Sequence, residues 1–322
     1  MGSHTSPMAT SPSSVRASPV TGVHGACADG TECTVNAKTT VVLVTGGFSG
    51  NAEMLVEHDD GWGFTADDII PTTNNHGHTG DGVKMAMEIG AAFADSDPNY
   101  MVFPMSNAVD WSIESQVGDT GNALMVNKEG KRFVDETLGR NAISKAEKAQ
   151  TDGMSFLISD QANSNVTDDN RNVQGLSMEQ LIADKKVYKA DTLEELAGQI
   201  GIDPDTLVAT VAEYNECARQ GTDEFGRTKF DEESLVDEGP FYAEPLTWAM
   251  HITCCGLAVN WDNYAILDAE GNDIPGLYGI GEVVPITDPA GEGRRHPPAP
   301  PRRDSFPAAP LSPTTRSSVP LG

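Results

Sequence analysis

Thr40 to Val44 (TVVLV) carries no charge over five consecutive positions, and the run stops at Gly46-Gly47. A strand that is apolar on both faces is stable only between two covering layers. The run therefore predicts a buried strand of an α/β sheet that opens into a loop. The next strong signal is helical. In TGDGVKMAMEIGAAF, Thr79 or Asp81 caps the N-terminus and Val83, Met85, Ala86, Met87, Ile89 and Gly90 give a mostly apolar surface. The glycine-rich start of this helix lets backbone approach a ligand. Upstream, Val20 to Phe48 alternates short β-type runs with Gly/Asp turns.

From about Pro98 the pattern becomes mixed. NALMVNKEGKRFVDE reads as a hairpin turning at Lys128-Glu129-Gly130. Asp191–Gly201 is an amphipathic helix with an N-cap and a terminal glycine, and Asp203–Gln220 is another with Pro204 at its first position. Gly256 to Val284 returns to strand, turn and strand, with Asp268 to Asn272 as the turn. An α/β segment, an α+β insertion and a return to strands imply one domain interrupted by another. No internal repeat is evident.

Composition narrows the function classes. A chain of 322 residues can bury a core large enough for two domains. Its ends are Ser/Pro/Thr-rich (1–19) and Pro/Arg-rich (285–322), and both are expected to be disordered because they hold too little apolar surface to offset their ordering entropy. The net charge of −27 repels phosphate backbones, so nucleic acid is not an expected partner. Arg294, Arg295, Arg302 and Arg303 sit in Pro-rich low complexity and are not read as a binding arm. Five cysteines without a CxxC repeat indicate neither a zinc site nor a disulfide framework, and Cys254-Cys255 read as small buried side chains. His76 and His78 lack a supporting ligand at metal spacing. No run is long and apolar enough for a transmembrane segment and no signal peptide is visible. The chain reads as soluble, cytoplasmic or exported to the cell envelope.

Five stretches taken in order carry a resemblance: VVLVTGGFSGNAEM, TTNNHGHTGDGVKMAMEIGAA, GNALMVNKEGKRFVDETLGR, KADTLEELAGQIGIDPDTLVATVAEYNE and PGLYGIGEVV. Together they resemble the flavoprotein family of fumarate reductases, succinate dehydrogenase flavoprotein subunits, urocanate reductases and 3-ketosteroid dehydrogenases. The resemblance implies an α/β FAD-binding domain, here partial (20–97 and 253–284), interrupted by an α+β capping domain (98–252). It implies FAD as cofactor, a small unsaturated substrate, and a separate electron donor such as a cytochrome or a reductase. The family's opening GxGxxG loop has no counterpart here, since Gly279-Ile280-Gly281 lacks the third glycine and lies at the wrong end. The chain reads as an internal fragment.

The same resemblance assigns residues. Thr45, Gly46, Gly47, Thr79, Gly80, Asp81, Gly281 and Glu282 fall at positions close to FAD. Arg140 falls at the position of the arginine that protonates the substrate carbon. An arginine acid must pass its proton onward, and the family's relay positions correspond to Gln116 and Asp119, which points to a rewired relay through Asp119 or Glu136. On local sequence alone, Arg140 is read as a surface partner of Asp135 or Glu136, and the ordered series of motifs turns the reading to the catalytic one. Phe103 stands before Pro104 where the family has a histidine. His251-Ile252-Thr253-Cys254-Cys255-Gly256 replaces a run that opens with two histidines. His251, Thr253 and Phe103 are thus the substrate-facing candidates, and the loss of two donors implies a more apolar or aromatic substrate than fumarate. Three readings stay open: a C=C reductase, a truncated chain that cannot hold FAD, and a flavin-dependent dehydrogenase running in the opposite direction.

Overall fold

A computed structural model describes residues 18–26, 29–75, 77–111, 124–162, 171, 175–230 and 234–286. Most of both expected disordered tails, together with Cys27, His76, Gln116 and Asp119, lies outside the described residues. The chain opens with β1 (Gly22–Ala26), β2 (Glu32–Asn36) and β3 (Val41–Leu43), then helices α1 (Ala52–Glu57) and α2 (Asp81–Glu88). Strands β4 (Phe93–Ala94), β5 (Tyr100–Asn107) and β6 (Leu124–Asn127) lead to α3 (Arg140–Lys148) and β7 (Met154–Ser159). After α4 (Met178–Ala183), β8 (Tyr188–Ala190), α5 (Leu193–Ile200) and α6 (Pro204–Gln220) comes the long β9 (Phe241–Thr253). Strands β10 (Gly256–Leu257), β11 (Ala265–Leu267) and β12 (Asp273–Gly279) complete the order.

The largest sheet runs β5-β9-β7-β6, with β8 also on β9, and its pairs are antiparallel. Its residues alternate between two cores. Leu124, Val126, Phe156 and Ile158 pack with Leu196, Leu207, Val211 and Tyr214 of α5 and α6. Met125, Leu157, Tyr242 and Leu246 face Ile143 of α3 and Leu181 of α4 on the other side. This period of two on a doubly covered sheet is why neighbouring positions are both apolar. A third core joins Leu43, Phe48, Leu55, Val83 and Val284 to Tyr100, Val102, Trp248 and Met250 of β5 and β9.

Local chemistry explains most boundaries. Asp203 caps α6 through the Thr206 amide, Pro204 occupies the first turn and Gly221 closes it in the left-handed region. The hairpin turn expected at 128–130 is present, with Gly130 at φ 75°, where a Cβ would meet Ile202 at 2.7 Å. Its return arm narrows to a single bridge, Val126 to Arg132, because the chain turns inward there.

Three expectations are corrected. The strand after Thr40 is not buried on both faces: among the described residues β3 pairs with β12 alone, in parallel, and Val42 and Val44 are exposed. Neither Thr79 nor Asp81 caps α2. Gly80 does so at φ 76°, a left-handed conformation that suits glycine and offers no side-chain acceptor. Cys33 is disulfide-bonded, whereas Cys217, Cys254 and Cys255 are free.

Two fully buried glutamates have opposite surroundings. Glu136 Oε1 accepts from Arg132 Nε at 2.9 Å and from the Met125 amide at 3.2 Å. Its Oε2 accepts from Arg132 Nη2 at 2.7 Å and Arg227 Nη1 at 2.9 Å. Glu147 Oε1 has only the Ser155 hydroxyl, at 2.6 Å, and its Oε2 has no partner among the described residues. Burial holds the Glu147 carboxyl well above the usual carboxylate range.

Glu136→Gln leaves Arg132 and Arg227 short of a counter-charge and should lower stability by about 3–5 kcal/mol in chemical denaturation. Glu147→Gln should do the reverse at neutral pH, adding about 1–3 kcal/mol. The native Glu147 binds its proton more tightly than the unfolded chain does. Its contribution is therefore complete in acid and is lost as pH rises above the unfolded carboxylate value, and this slope should vanish in Glu147→Gln.

Candidate active site

Four segments far apart in sequence meet behind the end of β9. Glu282 Oε1 accepts from the Thr253 amide at 2.8 Å and from its hydroxyl at 3.0 Å, and the Phe48 amide donates to Thr253 Oγ1 at 3.4 Å. The Gly80 amide donates to the Gly47 carbonyl at 3.2 Å, which ties the start of α2 to the loop after β3. Glycine at these points is a steric requirement. A Cβ at Gly47 would lie 1.9 Å from Thr253 Oγ1 and 2.6 Å from Glu282 Oε1, and one at Gly82 would lie 1.9 Å from Thr45 Oγ1. Gly46 and Gly281 sit at φ 77° and 78°.

His78 closes this group. Its ring lies beside Gly46, and Nδ1 stands 3.9 Å from Glu282 Oε2, buried and without a hydrogen-bond partner. An orphaned buried ring nitrogen, backbone stripped of Cβ atoms and a helix start without a side-chain cap form a cradle that suits the polarised edge of a cofactor. Thr45, Gly46, Gly47, Gly80, Gly281 and Glu282 therefore lie together. Thr79 contributes its carbonyl to Asn51 Nδ2 at 2.8 Å, and Asp81 is exposed on the first turn of α2.

A second group lies on the adjoining side. Arg140 is the first residue of α3, and its guanidinium stands 5.1 Å from the Phe103 ring centroid, with Nη1 3.9 Å from Met101 Sδ. The Phe103 ring is 5.6 Å from the His251 ring, and His251 Nδ1 shares a hydrogen bond of 2.9 Å with Thr73 Oγ1. Burial, and then the charge of Arg140, holds His251 below its ordinary value, while Glu282 opposes them. His251 is therefore neutral near pH 7. Asn141 fixes the arginine's helix to β5: its Nδ2 donates to the Tyr100 carbonyl at 2.8 Å and its Oδ1 accepts from the Val102 amide at 2.9 Å.

Arg140, His251, Phe103 and Thr253 are thus brought together, but Glu136 is not among them. Its carboxylate is saturated by Arg132, Arg227 and Met125, and Asp135 accepts from Thr137. Arg140 forms no ion pair among the described residues, so the surface pairing with Asp135 or Glu136 is absent. Thr73, Met101 and Asn141 went unnoticed in sequence because single polar or sulfur side chains carry no pattern.

Glycine-lined backbone thus surrounds a carboxylate, with an arginine and a neutral histidine on the adjoining side. The family model for the FAD binding domain matches residues 13–294, and the chain belongs to this family, whose cofactor is FAD. It is 34% identical to the NADH:acrylate oxidoreductase of Vibrio harveyi over 82% of this chain and 26% of that protein. It is 32% identical to the urocanate reductase of Eggerthella lenta over 75% of this chain and 39% of that protein. The solved open conformation of a flavocytochrome c3 fumarate reductase superposes with a TM-score of 0.64 at 31% identity, covering 83% of this chain and 44% of that one. The fold is accordingly an α/β FAD-binding domain with an α+β capping element. The chain spans well under half the length of these relatives. No described helix is long and apolar enough to cross a membrane.

If Arg140 presses on the His251 titration as its position implies, Arg140→Ala should raise the midpoint seen by the histidine ring protons in NMR. The return should be partial, because burial, the larger cause, remains. Glu282→Gln should move the midpoint further down.

Proposed function

We propose that this chain carries the catalytic half-site of a flavin-dependent reductase acting on an activated C=C bond, with residues 98–252 as the cap over the flavin. The observation that carries this reading is the isolation of Arg140: a cation with no carboxylate partner among the described residues, beside Met101, Phe103 and a neutral histidine, on a helix that Asn141 ties to β5. Bound FAD, once reduced by the separate electron donor, would supply hydride to one carbon of the double bond. Thr45, Gly46, Gly47, Thr79, Gly80, Asp81, Gly281 and Glu282 would hold it through backbone and the Glu282 carboxylate.

Arg140 delivers a proton to the neighbouring carbon from a guanidinium Nη atom. Guanidinium is a very weak acid, so this transfer requires another group to restore the proton as it leaves. Glu136 is committed to Arg132 and Arg227, which leaves Asp119, outside the described residues, as the relay we assign. His251, kept neutral and bonded to Thr73, presents a polar edge to the substrate, and Thr253 positions Glu282. Phe103 excludes water from the face of Arg140. Acrylate, urocanate and fumarate, named for the relatives, are all unsaturated carboxylates. The aromatic at 103 and isoleucine at 252 favour a more apolar member of that class than fumarate. Electrons reach the flavin from a separate donor, a cytochrome or a reductase.

The test has two stages. The purified chain mixed with FAD should acquire bound-flavin absorbance and oxidise reduced viologen when given enoates. No flavin uptake overturns the enzymatic reading of this chain. Arg140→Ala should then lower turnover by about 10²–10⁴-fold with flavin still bound, and retained turnover removes Arg140 from the role of acid.

A further inference from the structure

His78 stands in the glycine cradle beside Gly46 and Glu282. Backbone bonds fix its place: its amide donates to the Asn75 carbonyl at 3.0 Å, and its carbonyl accepts from the Gly50 amide at 2.9 Å. With the Gly80 amide on the Gly47 carbonyl at 3.2 Å, the loop that carries the ring is tied to the loop after β3 at two points. The ring turns its nitrogen-bearing edge to Gly46, where a Cβ would lie 3.4 Å from His78 Cε1 and 3.6 Å from each ring nitrogen. Glu282 stands on the Nδ1 side, with Oε2 3.9 Å away. That distance is too long for a hydrogen bond, yet short enough for the carboxylate to favour a proton on Nδ1. The other oxygen of Glu282 is engaged by the Thr253 amide and hydroxyl, which hold the carboxylate where it is. Nδ1 is therefore a buried N–H donor with no acceptor among the described residues. A buried donor left unpaired is costly, and an acceptor supplied by a ligand in the cradle removes that cost.

We propose that His78 is a cofactor ligand, that its Nδ1–H donates to the carbonyl-bearing edge of bound FAD with Glu282 setting the tautomer, and that this bond raises the reduction potential of the cofactor. The proposal rests on the reductase reading, because it takes the cradle as the place of the flavin. The isoalloxazine ring carries carbonyl oxygens and ring nitrogens along one edge, and two-electron reduction makes that edge more negative. A donor bonds an anionic acceptor more strongly than a neutral one. The reduced cofactor thus gains more from His78 than the oxidised cofactor does, and the couple shifts toward reduction. Because backbone bonds hold the ring in place before the cofactor arrives, little ordering is lost in making the bond.

The experiment is FAD titration of the full chain followed by flavin fluorescence, with the midpoint potential of the bound cofactor measured on the same preparations by dye-coupled reduction. His78→Leu keeps bulk and removes both ring nitrogens. It should weaken binding of oxidised FAD by about tenfold. Reduced FAD should lose about tenfold more, which for a two-electron couple lowers the midpoint potential by about 30 mV. His78→Asn keeps an N–H donor at the same remove from the backbone and should recover most of both losses. The thermal midpoint of the cofactor-free chain should be unchanged or higher in His78→Leu, because that variant no longer buries an unpaired donor. A clearly lower thermal midpoint marks His78 as a packing residue and overturns the proposal. Native affinity or native potential in His78→Leu overturns it too, as does His78→Asn performing no better than His78→Leu. A native chain that takes up no FAD overturns the enzymatic reading together with this one, whereas FAD uptake indifferent to position 78 overturns this one alone.

Discussion

The carboxylate of Glu136 is the point on which the packing of the segment leading into α3 depends. It is fully buried, it binds two guanidinium groups and one backbone amide, and each of its partners comes from a different part of the chain. Arg132 is further held by Asp223 at 2.8 Å and lies between the rings of Tyr214 and Phe225, at 5.0 and 4.9 Å. Arg227 lies 4.4 Å from the Phe230 centroid. Burying several charges is costly unless each finds a partner, and here carboxylates and aromatic faces share that task. Four residues beyond Glu136 the chain enters α3, and Arg140, its first residue, turns to Met101 and Phe103.

Strand β9 carries the second half of the construction. Its N-terminal part pairs with β7 and β8 inside the doubly covered sheet, and its C-terminal part pairs with β5 and ends among the glycine loops. His251 meets Phe103 and Thr253 meets Glu282. The ladder to β5 slips by one residue between them: Tyr100 pairs with Thr253 and Met101 with Ile252, but Val102 pairs with Met250, so His251 sits at a bulge. A bulge bends the strand and re-aims the side chain it carries.

Local chemistry made some of this legible in advance. The cap, first-turn proline and closing glycine of α6, the turn at Gly130 and the turn from Asp268 to Asn272 are each set by a few neighbouring residues. The partner of Glu136 was not legible for a definite reason. Arg132 and Arg140 are each four residues from it, so helical or turn spacing favours neither, and the tie is broken by Arg227, 91 residues away. Strand β3 failed differently. Apolar residues at successive positions report a need for cover, and they cannot report how many strands supply it. The described sheet gives β3 one neighbour. The glycines around the cradle were visible as residues, but their reason lies in the Thr253 hydroxyl and the Glu282 carboxylate brought up against Gly47 from the far end of the chain.

Charge acts on two scales around Arg140. The chain as a whole carries −27, a field that opposes the approach of any anion. At physiological salt that field fades over about 8 Å, so capture is governed by what stands at the site. There Arg140 has no ion-pair partner among the described residues, Glu282 is engaged with Thr253, and burial with the nearby guanidinium keeps His251 from adding a second positive charge. One net cation in a half-apolar setting can compensate one carboxylate. Protonating His251 would set a second positive charge beside Arg140, and burial first, then the charge of Arg140, makes that protonation unfavourable.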